Sequence, residues 1–153
     1  MLSASWAACD RGHAHWGQRG AAGLLLADRG RVLLQLRARW AHQGGTWSIP
    51  GGAREAGESY ADAALREAHE ELGVDAAAVA LRGSYVATCG GWVYETLLGV
   101  PLTGLVLEDR SESDAHRWVP VDEVAGLHLH PSFRAAWTDP AGTLPTFAES
   151  ARM

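Results

Sequence analysis

The 153-residue chain is long enough to bury the core of one domain, and 47% of its residues are hydrophobic and 20% charged. Its net charge of -5 argues against a broad basic surface, so we expect no binding to duplex nucleic acid. No apolar run approaches the length of a transmembrane helix, and the chain is expected to be cytoplasmic. The cysteines, Cys9 and Cys89, match no metal or redox spacing and are predicted to be free thiols.

The first third of the chain predicts a small group of strands. Residues 1–18 lack periodicity and are expected to form a mobile, peripheral lead-in or a peripheral strand of a single domain that spans the chain. Apolar runs at 21–26 and 32–37, separated by turn residues, predict a hairpin of buried strands. A loop at 38–46 then leads to a short strand at 47–50, which Pro50 ends.

The next element is predicted to be an amphipathic helix that begins after Ser59 and ends at Gly73. Its glutamates Glu67, Glu70 and Glu71 fall within an arc of about 100° when residues are spaced at 100°. The opposite face is expected to pack on a sheet. That face contains Ala61, Ala64, Leu65, Ala68 and Leu72.

The second half of the chain predicts more strands, followed by short helices. Strands are expected at residues 79–88, 92–98, 105–107 and 117–119. Residues 110–114 form a polar loop, and helices are expected at 121–126 and 131–137. Residues 139–153 are predicted to be a loosely held tail.

Between Gly52 and Val74 the chain carries seven fixed residues at fixed spacing: Gly52, Glu58, Arg66, Glu67, Glu70, Glu71 and Gly73. Like charges three and four residues apart on a helix repel each other. The three glutamates at positions 67, 70 and 71 therefore indicate that a cation is bound there. The pattern resembles the Nudix box and matches every fixed position of it. Similarity to the family extends over most of residues 20–138.

The resemblance implies an α/β fold, in which a mixed central β-sheet lies between helices as an α/β/α sandwich. It also implies metal-dependent hydrolysis of a diphosphate bond in a nucleoside diphosphate linked to another group. Signatures of other subfamilies are absent, which favours a MutT-like enzyme that converts a (d)NTP or modified nucleotide to its monophosphate and pyrophosphate. The alternatives are a hydrolase of ADP-ribose, nucleotide sugars or dinucleoside polyphosphates, or a non-catalytic Nudix sensor.

By the same resemblance, the expected cofactor is Mg²⁺ or Mn²⁺, which bind carboxylate oxygens. Its ligands would be Glu67, Glu70 and Glu71, completed by a backbone carbonyl of Gly51 or Gly52. Either Glu70 or Glu67 would serve as general base. Arg66 would orient a carboxylate, and Glu58 would be a further ligand or a brace.

Outside the box, five residues are candidates for catalysis or substrate binding. Glu112 is a candidate for an additional acidic ligand or base, as many Nudix enzymes have in the corresponding loop. Arg37 and Arg39 are candidates for phosphate contacts. Trp92 and Tyr94 share one face of a strand and could stack a nucleobase or simply pack in the core. Nudix proteins often dimerise, so the resemblance also implies a homodimer.

Overall fold

The computed structural model describes residues 6–8, 14–16 and 19–151. Its strands are β1 (Trp6–Ala8), β2 (Ala14–Trp16), β3 (Ala21–Asp28), β4 (Arg31–Arg37), β5 (Trp47–Ser48), β6 (Gly51–Ala53), β7 (Val79–Cys89), β8 (Trp92–Pro101) and β9 (Ser113–Pro120). Its α-helices are α1 (Tyr60–Leu72), α2 (Val121–Val124), α3 (Pro131–Thr138) and α4 (Leu144–Ser150). Strands β1 and β2 pair with each other, while the other strands form a seven-stranded mixed sheet.

The seven-stranded sheet opens between β3 and β4. These strands pair only beside their connecting turn, where Ala27 faces Val32 and Asp28 faces Arg31. Beyond that point β3 pairs with β6 on one side and runs parallel to β8 on the other, while β4 pairs with β5 and β9. The divergence lets the segment from β5 to β6 cross the gap, where the Leu24 amide donates to the Pro50 carbonyl at 2.9 Å.

Each face of the sheet is covered by helices. Helix α1 covers one face, where its buried alanines and Leu72 pack against β3 and β4 side chains such as Leu24 and Leu33. The other face packs against α2, α3 and α4 through residues that include Phe133 and Trp137. The predicted α/β/α sandwich with a mixed sheet is confirmed.

Several local predictions are also confirmed. The β3–β4 and β7–β8 hairpins form where the apolar runs predict them. Helix α1 begins after Ser59, whose side chain accepts a hydrogen bond from the Asp62 amide at 3.0 Å. It ends at Gly73, which adopts the left-handed conformation with φ of 73°. The predicted buried face of α1 is confirmed, with Ala61 and Leu65 partly buried against the core, and it also includes Ala63, which is buried.

The predicted strand at residues 105–107 is wrong. The segment instead runs along the C-terminal end of α1, and its amides bond to the last carbonyls of that helix. The Glu108 amide donates to the Leu72 carbonyl at 3.0 Å, and the Arg110 amide to the Glu71 carbonyl at 2.9 Å. These carbonyls lack partners within a helix, so the loop satisfies them and has no register with a strand.

The prediction of a loosely held tail is wrong for residues 144–151. Leu144 and Ala148 of α4 are fully buried in the core, and the Ala151 carbonyl accepts a hydrogen bond from the Arg29 amide at 2.8 Å. Their spacing of four residues puts both on one face of the helix. The Tyr85 hydroxyl also donates to the Asp139 carboxylate at 2.6 Å, which ties the start of this segment to β7.

The prediction of free thiols is wrong for Cys89, which is disulfide-bonded at the end of β7. The other predicted thiol, Cys9, lies outside the described residues. Among the described residues, none of the helices has the length and apolarity that crossing a membrane requires.

Candidate active site

The glycine pair at the start of the box lies on β6, where a side chain at either position would clash with its neighbours. Gly51 and Gly52 face Gly23 and Ala22 of β3, and neither has a positive φ. A methyl group on Gly52 would lie 2.6 Å from the Glu67 carboxylate, and one on Gly51 would lie 2.6 Å from the Ala22 carbonyl oxygen. The absent side chains therefore let α1 bring a carboxylate directly against the backbone of β6.

Arg66 joins the two ends of the box through its guanidinium. Nε and Nη2 donate to the two carboxylate oxygens of Glu58 at 2.7 and 3.1 Å. Nη1 donates to Glu67 at 3.0 Å and to Glu70 at 3.2 Å, and Nη2 also donates to the Ala53 carbonyl at 3.0 Å. The hydrogen bond from Arg66 holds the pKa of Glu58 below its usual value. The structure thus places Glu58 as a brace for Arg66.

The three glutamates predicted as metal ligands occupy different environments. Glu71 is only 5% exposed and accepts a hydrogen bond from the Gln35 side chain on β4. Burial, followed by the adjacent Glu67 carboxylate, raises the pKa of Glu71 well above its usual range. The Glu67 side chain is 17% exposed, whereas that of Glu70 is 50% exposed. The cluster therefore runs from a buried end at Glu71 to an open end at Glu70.

Of the residues predicted to bind substrate, Tyr94 lies beside this cluster, and the charge of Arg37 acts on it. The Tyr94 hydroxyl packs against Gly51, and burial together with the nearby Glu71 charge raises the pKa of Tyr94. The positive charge of Arg37 opposes the rise in pKa of both Tyr94 and Glu71. The Arg37 Nε donates to the His42 carbonyl at 2.7 Å, which holds the guanidinium at the loop that follows β4.

The other predicted residues are less closely tied to the cluster. The Trp92 ring lies 6.2 Å from the Tyr94 ring, centre to centre, so the two aromatic side chains are neighbours. Arg39 is exposed. Glu112 is partly buried, and its carbonyl accepts a hydrogen bond from the Ala38 amide at 2.7 Å. Within residues 19–151, no hydrogen bond or ion pair joins the Glu112 side chain to the box glutamates.

The acidic cluster has the donors that a hard divalent cation requires. Among the described residues, no three acidic, histidine or cysteine side chains already converge as a metal site. Glu67 and Glu71 do lie together, however, and two neighbouring carboxylates repel unless a proton or a cation lies between them. Carboxylate oxygens are the ligands that Mg²⁺ and Mn²⁺ prefer, so the residues present fit either ion.

Gln35 is a site residue that the sequence analysis missed. It is 1% exposed and reaches Glu71 from β4, which lies 36 positions earlier in the chain. The available signal was its polarity, because Gln35 interrupts an otherwise apolar run from Val32 to Leu36. A buried polar side chain among strand residues indicates a specific partner.

Comparison with known proteins agrees with the geometry of the site. The family model described as NUDIX domain matches residues 17–140. The protein named "Putative 8-oxo-dGTP diphosphatase 3" from Mycobacterium tuberculosis is 45% identical over 143 residues, which cover 86% of this chain and 66% of the relative. A nucleoside triphosphate pyrophosphatase/Nudix hydrolase fusion protein from Bifidobacterium longum is 37% identical over 153 residues, with coverage of 94% and 32%.

A solved structure resembles most of the fold. The crystal structure of the Nudix hydrolase RenU from M. smegmatis has a TM-score of 0.82 and 41% sequence identity, and the match covers 88% of this chain and 91% of that one. The chain therefore spans just under two thirds of the M. tuberculosis relative but most of the solved structure. With the complete box between β6 and α1, these matches show that the chain belongs to the Nudix family.

Proposed function

We propose that this protein hydrolyses a diphosphate bond in a (d)NTP or a modified nucleotide, releasing the monophosphate and pyrophosphate. The observation that carries the proposal is the carboxylate cluster against Gly52, where Glu67 and Glu71 meet beside the Arg66 guanidinium. The name of the M. tuberculosis relative supports a nucleotide substrate and makes 8-oxo-dGTP the first compound to test.

The exposure of each side chain in the cluster suggests which of them would bind the cation and which would accept a proton. Glu67 and Glu71, held by Arg66 and Gln35, would bind the buried side of Mg²⁺ or Mn²⁺, with Glu70 at the open side. When bound, the cation neutralises the diphosphate and lowers the pKa of water for attack on phosphorus. We assign the role of general base to Glu70, because its half-exposed carboxylate can accept a proton from water.

The substrate would lie across the gap between the two parts of the sheet. Arg37 is the better placed of the two predicted phosphate contacts, since its charge already acts on Glu71 and Tyr94. Its planar guanidinium suits bidentate binding of a phosphate. The proposal assigns stacking of the base to Trp92, whose ring neighbours Tyr94, and keeps Arg39 and Glu112 as outer contacts.

A substrate screen tests this proposal. The protein would be incubated with Mg²⁺ or Mn²⁺ and with 8-oxo-dGTP, NTPs, dNTPs, ADP-ribose, nucleotide sugars and dinucleoside polyphosphates. We expect turnover of a nucleoside triphosphate with release of pyrophosphate. Turnover of another compound alone would move the assignment to that substrate class. Nucleotide binding with no product in any reaction would overturn the proposal in favour of a Nudix sensor.

A pair of variants tests the assignment of the base. Glu70→Gln should lower kcat by about 10²–10⁴-fold without unfolding the protein. Glu123→Gln provides the matched control, because Glu123 is an exposed glutamate of α2 on another element. If Glu70→Gln retains the activity of the control, Glu70 is not the base.

The location of the protein in the cell and its oligomeric state are proposed separately from its activity. A cytoplasmic location and a homodimer are expectations from the sequence. The disulfide at Cys89 weighs against a reducing compartment, because such bonds persist mainly in oxidising environments. Mass measurement of the purified protein in solution would test for the dimer.

A further inference from the structure

Gln35 occupies an unusual position for a polar residue. Its backbone lies inside the sheet, paired with Ser48 of β5 on one side and with His116 of β9 on the other. Its side chain is 1% exposed and donates from Nε2 to Oε1 of Glu71. Its own Oε1 is buried and has no hydrogen-bond partner within the part of the chain that the structure describes.

Stability of the fold does not explain this glutamine. A buried carbonyl oxygen without a partner is unfavourable, whereas apolar side chains in place of both Gln35 and Glu71 would leave nothing unpaired. Leu33, two residues earlier on the same face of β4, shows that the core beneath α1 accepts such a side chain. What the glutamine adds is a hydrogen bond to a carboxylate that has lost almost all contact with water.

The position of Glu71 makes that hydrogen bond relevant to the site. Glu71 lies at the buried end of the cluster, where its backbone carbonyl is also held by the Arg110 amide at 2.9 Å. Within residues 19–151 no arginine donates to its side chain, in contrast to Glu67 and Glu70, which both accept from Arg66. Among the described residues, Gln35 is therefore the side-chain donor that fixes the Glu71 carboxylate.

We propose that Gln35 is a positioning residue that orients the Glu71 carboxylate for the cation. The Nε2 group holds the Glu71 carboxylate through Oε1, and Glu71 so held would bind Mg²⁺ or Mn²⁺. Partners of metal ligands outside the coordination shell commonly act in this way. The inference rests on the proposed function in one respect, which is that Glu71 binds the cation.

Direct measurement of Mn²⁺ binding without substrate tests this role. In Gln35→Met the side chain keeps a similar length but cannot donate, and we expect the Kd for Mn²⁺ to rise about 10–100-fold. Stability in urea should fall, because the buried Glu71 carboxylate loses the hydrogen bond from Gln35, and a double-mutant cycle separates this loss from the effect on the Kd. Leu33→Met is the matched control on the same buried face of β4 and should bind Mn²⁺ as the unaltered protein does.

A double-mutant cycle separates positioning from a merely structural effect. If Gln35 acts through Glu71, then Gln35→Met should change the Kd for Mn²⁺ by less than about 2-fold when Glu71→Gln is already present. Equal weakening by Gln35→Met in both backgrounds would overturn the proposal. Should Gln35→Met fail to fold, Gln35→Asn serves the same cycle, because its shorter side chain keeps the amide but moves it away from Glu71.

The outcomes also distinguish this inference from the proposed function. If the protein binds Mn²⁺ and shows the expected cycle but hydrolyses no nucleotide, the proposed function fails and the role of Gln35 stands. If it hydrolyses nucleotides and Gln35→Met binds Mn²⁺ normally, only the role of Gln35 fails. An unaltered protein that does not bind Mn²⁺ would overturn both.

Discussion

Replacing Gly52 by alanine would separate the stability of the fold from the function of the site. The added methyl group would lie 2.6 Å from the Glu67 carboxylate, and ordinary contact begins at 3.4 Å. The carboxylate must therefore retreat by about 0.8 Å, which also strains its 3.0 Å hydrogen bond from Arg66. A displacement of about 1 Å at a reacting centre can lower the rate about 100-fold.

The same change should cost the fold little. Gly52 has no positive φ, and the atoms that alanine would meet belong to the end of a flexible side chain. Removing a glycine also reduces the entropy of the unfolded chain, so the free energy of unfolding should change by no more than about 1 kcal/mol. For a chain of this size that corresponds to a Tm shift of about 2–4 °C.

The assay combines thermal unfolding, Mn²⁺ binding and nucleotide turnover for Gly52→Ala and a control. Gly104→Ala is the control, because its methyl group would meet nothing within 4 Å. We expect Gly52→Ala to unfold near the normal Tm, with kcat lowered about 100-fold. Normal Mn²⁺ affinity together with normal kcat would refute the argument that Gly52 makes room for Glu67. Loss of the folded state would refute the argument that only a side chain must move.

Three further predictions concern the supports of the site and the core. Arg66→Lys should lower the free energy of unfolding in urea by about 1.5–3 kcal/mol, because lysine cannot replace the paired hydrogen bonds to Glu58. Glu58 has a folded-state pKa below 4.5, so its ion pair stabilises the fold above that pH and is lost as the pH falls through the folded pKa. Urea unfolding of Glu58→Gln should therefore show less loss of stability between pH 7 and about pH 3 than the unaltered protein. Leu144→Ala should cost about 2–5 kcal/mol in the same assay, since Leu144 is fully buried.

Each of these predictions has a result that would contradict it. Equal stability of Arg66→Lys and the unaltered protein would show that the bonds to Glu58 contribute nothing. Identical acid sensitivity with and without Glu58 would assign the acid loss to other groups. Val106→Ala is the control for Leu144→Ala, because Val106 is 91% exposed and its change should stay within about 0.5 kcal/mol. A tail that tolerates Leu144→Ala equally well would not be part of the core.

Helix α1 and the residues on it could be predicted from local sequence preferences alone. Ser59 and Gly73 bound the helix through their own backbone and side-chain preferences, so its ends could be located from the sequence. The box spacing likewise placed Arg66 within reach of Glu70, one turn away. These features depend on residues close together in the chain.

Features that depend on distant residues could not be predicted in the same way. The helical arc put Glu71 with Glu67 and Glu70, but it could not show that Glu71 is buried or that it accepts a hydrogen bond from Gln35 on β4. A strand was predicted at residues 105–107, but the residues that follow bond to the end carbonyls of α1, which no local pattern indicates. The packing of α4 was not predicted, because the Pro, Thr and Gly that precede the helix indicate a loose tail. Leu144 and Ala148 nevertheless have helical spacing.

The divergence of β3 and β4 has a consequence for how the protein should respond to its ligand. The box helix packs against side chains of both β3 and β4, but Gly52, which lies against the carboxylate cluster, pairs with β3, whereas Arg37 lies on β4. The contacts proposed for the cation and for the phosphate would therefore come from strands that diverge beyond the β3–β4 turn. Gln35 and Glu71 form a polar contact across this separation. A nucleotide held by Arg37 and by the carboxylate cluster would fasten the diverging strands to each other. Amide hydrogens of β4 and β5 should then exchange with solvent more slowly, even though these strands gain no hydrogen bonds of their own.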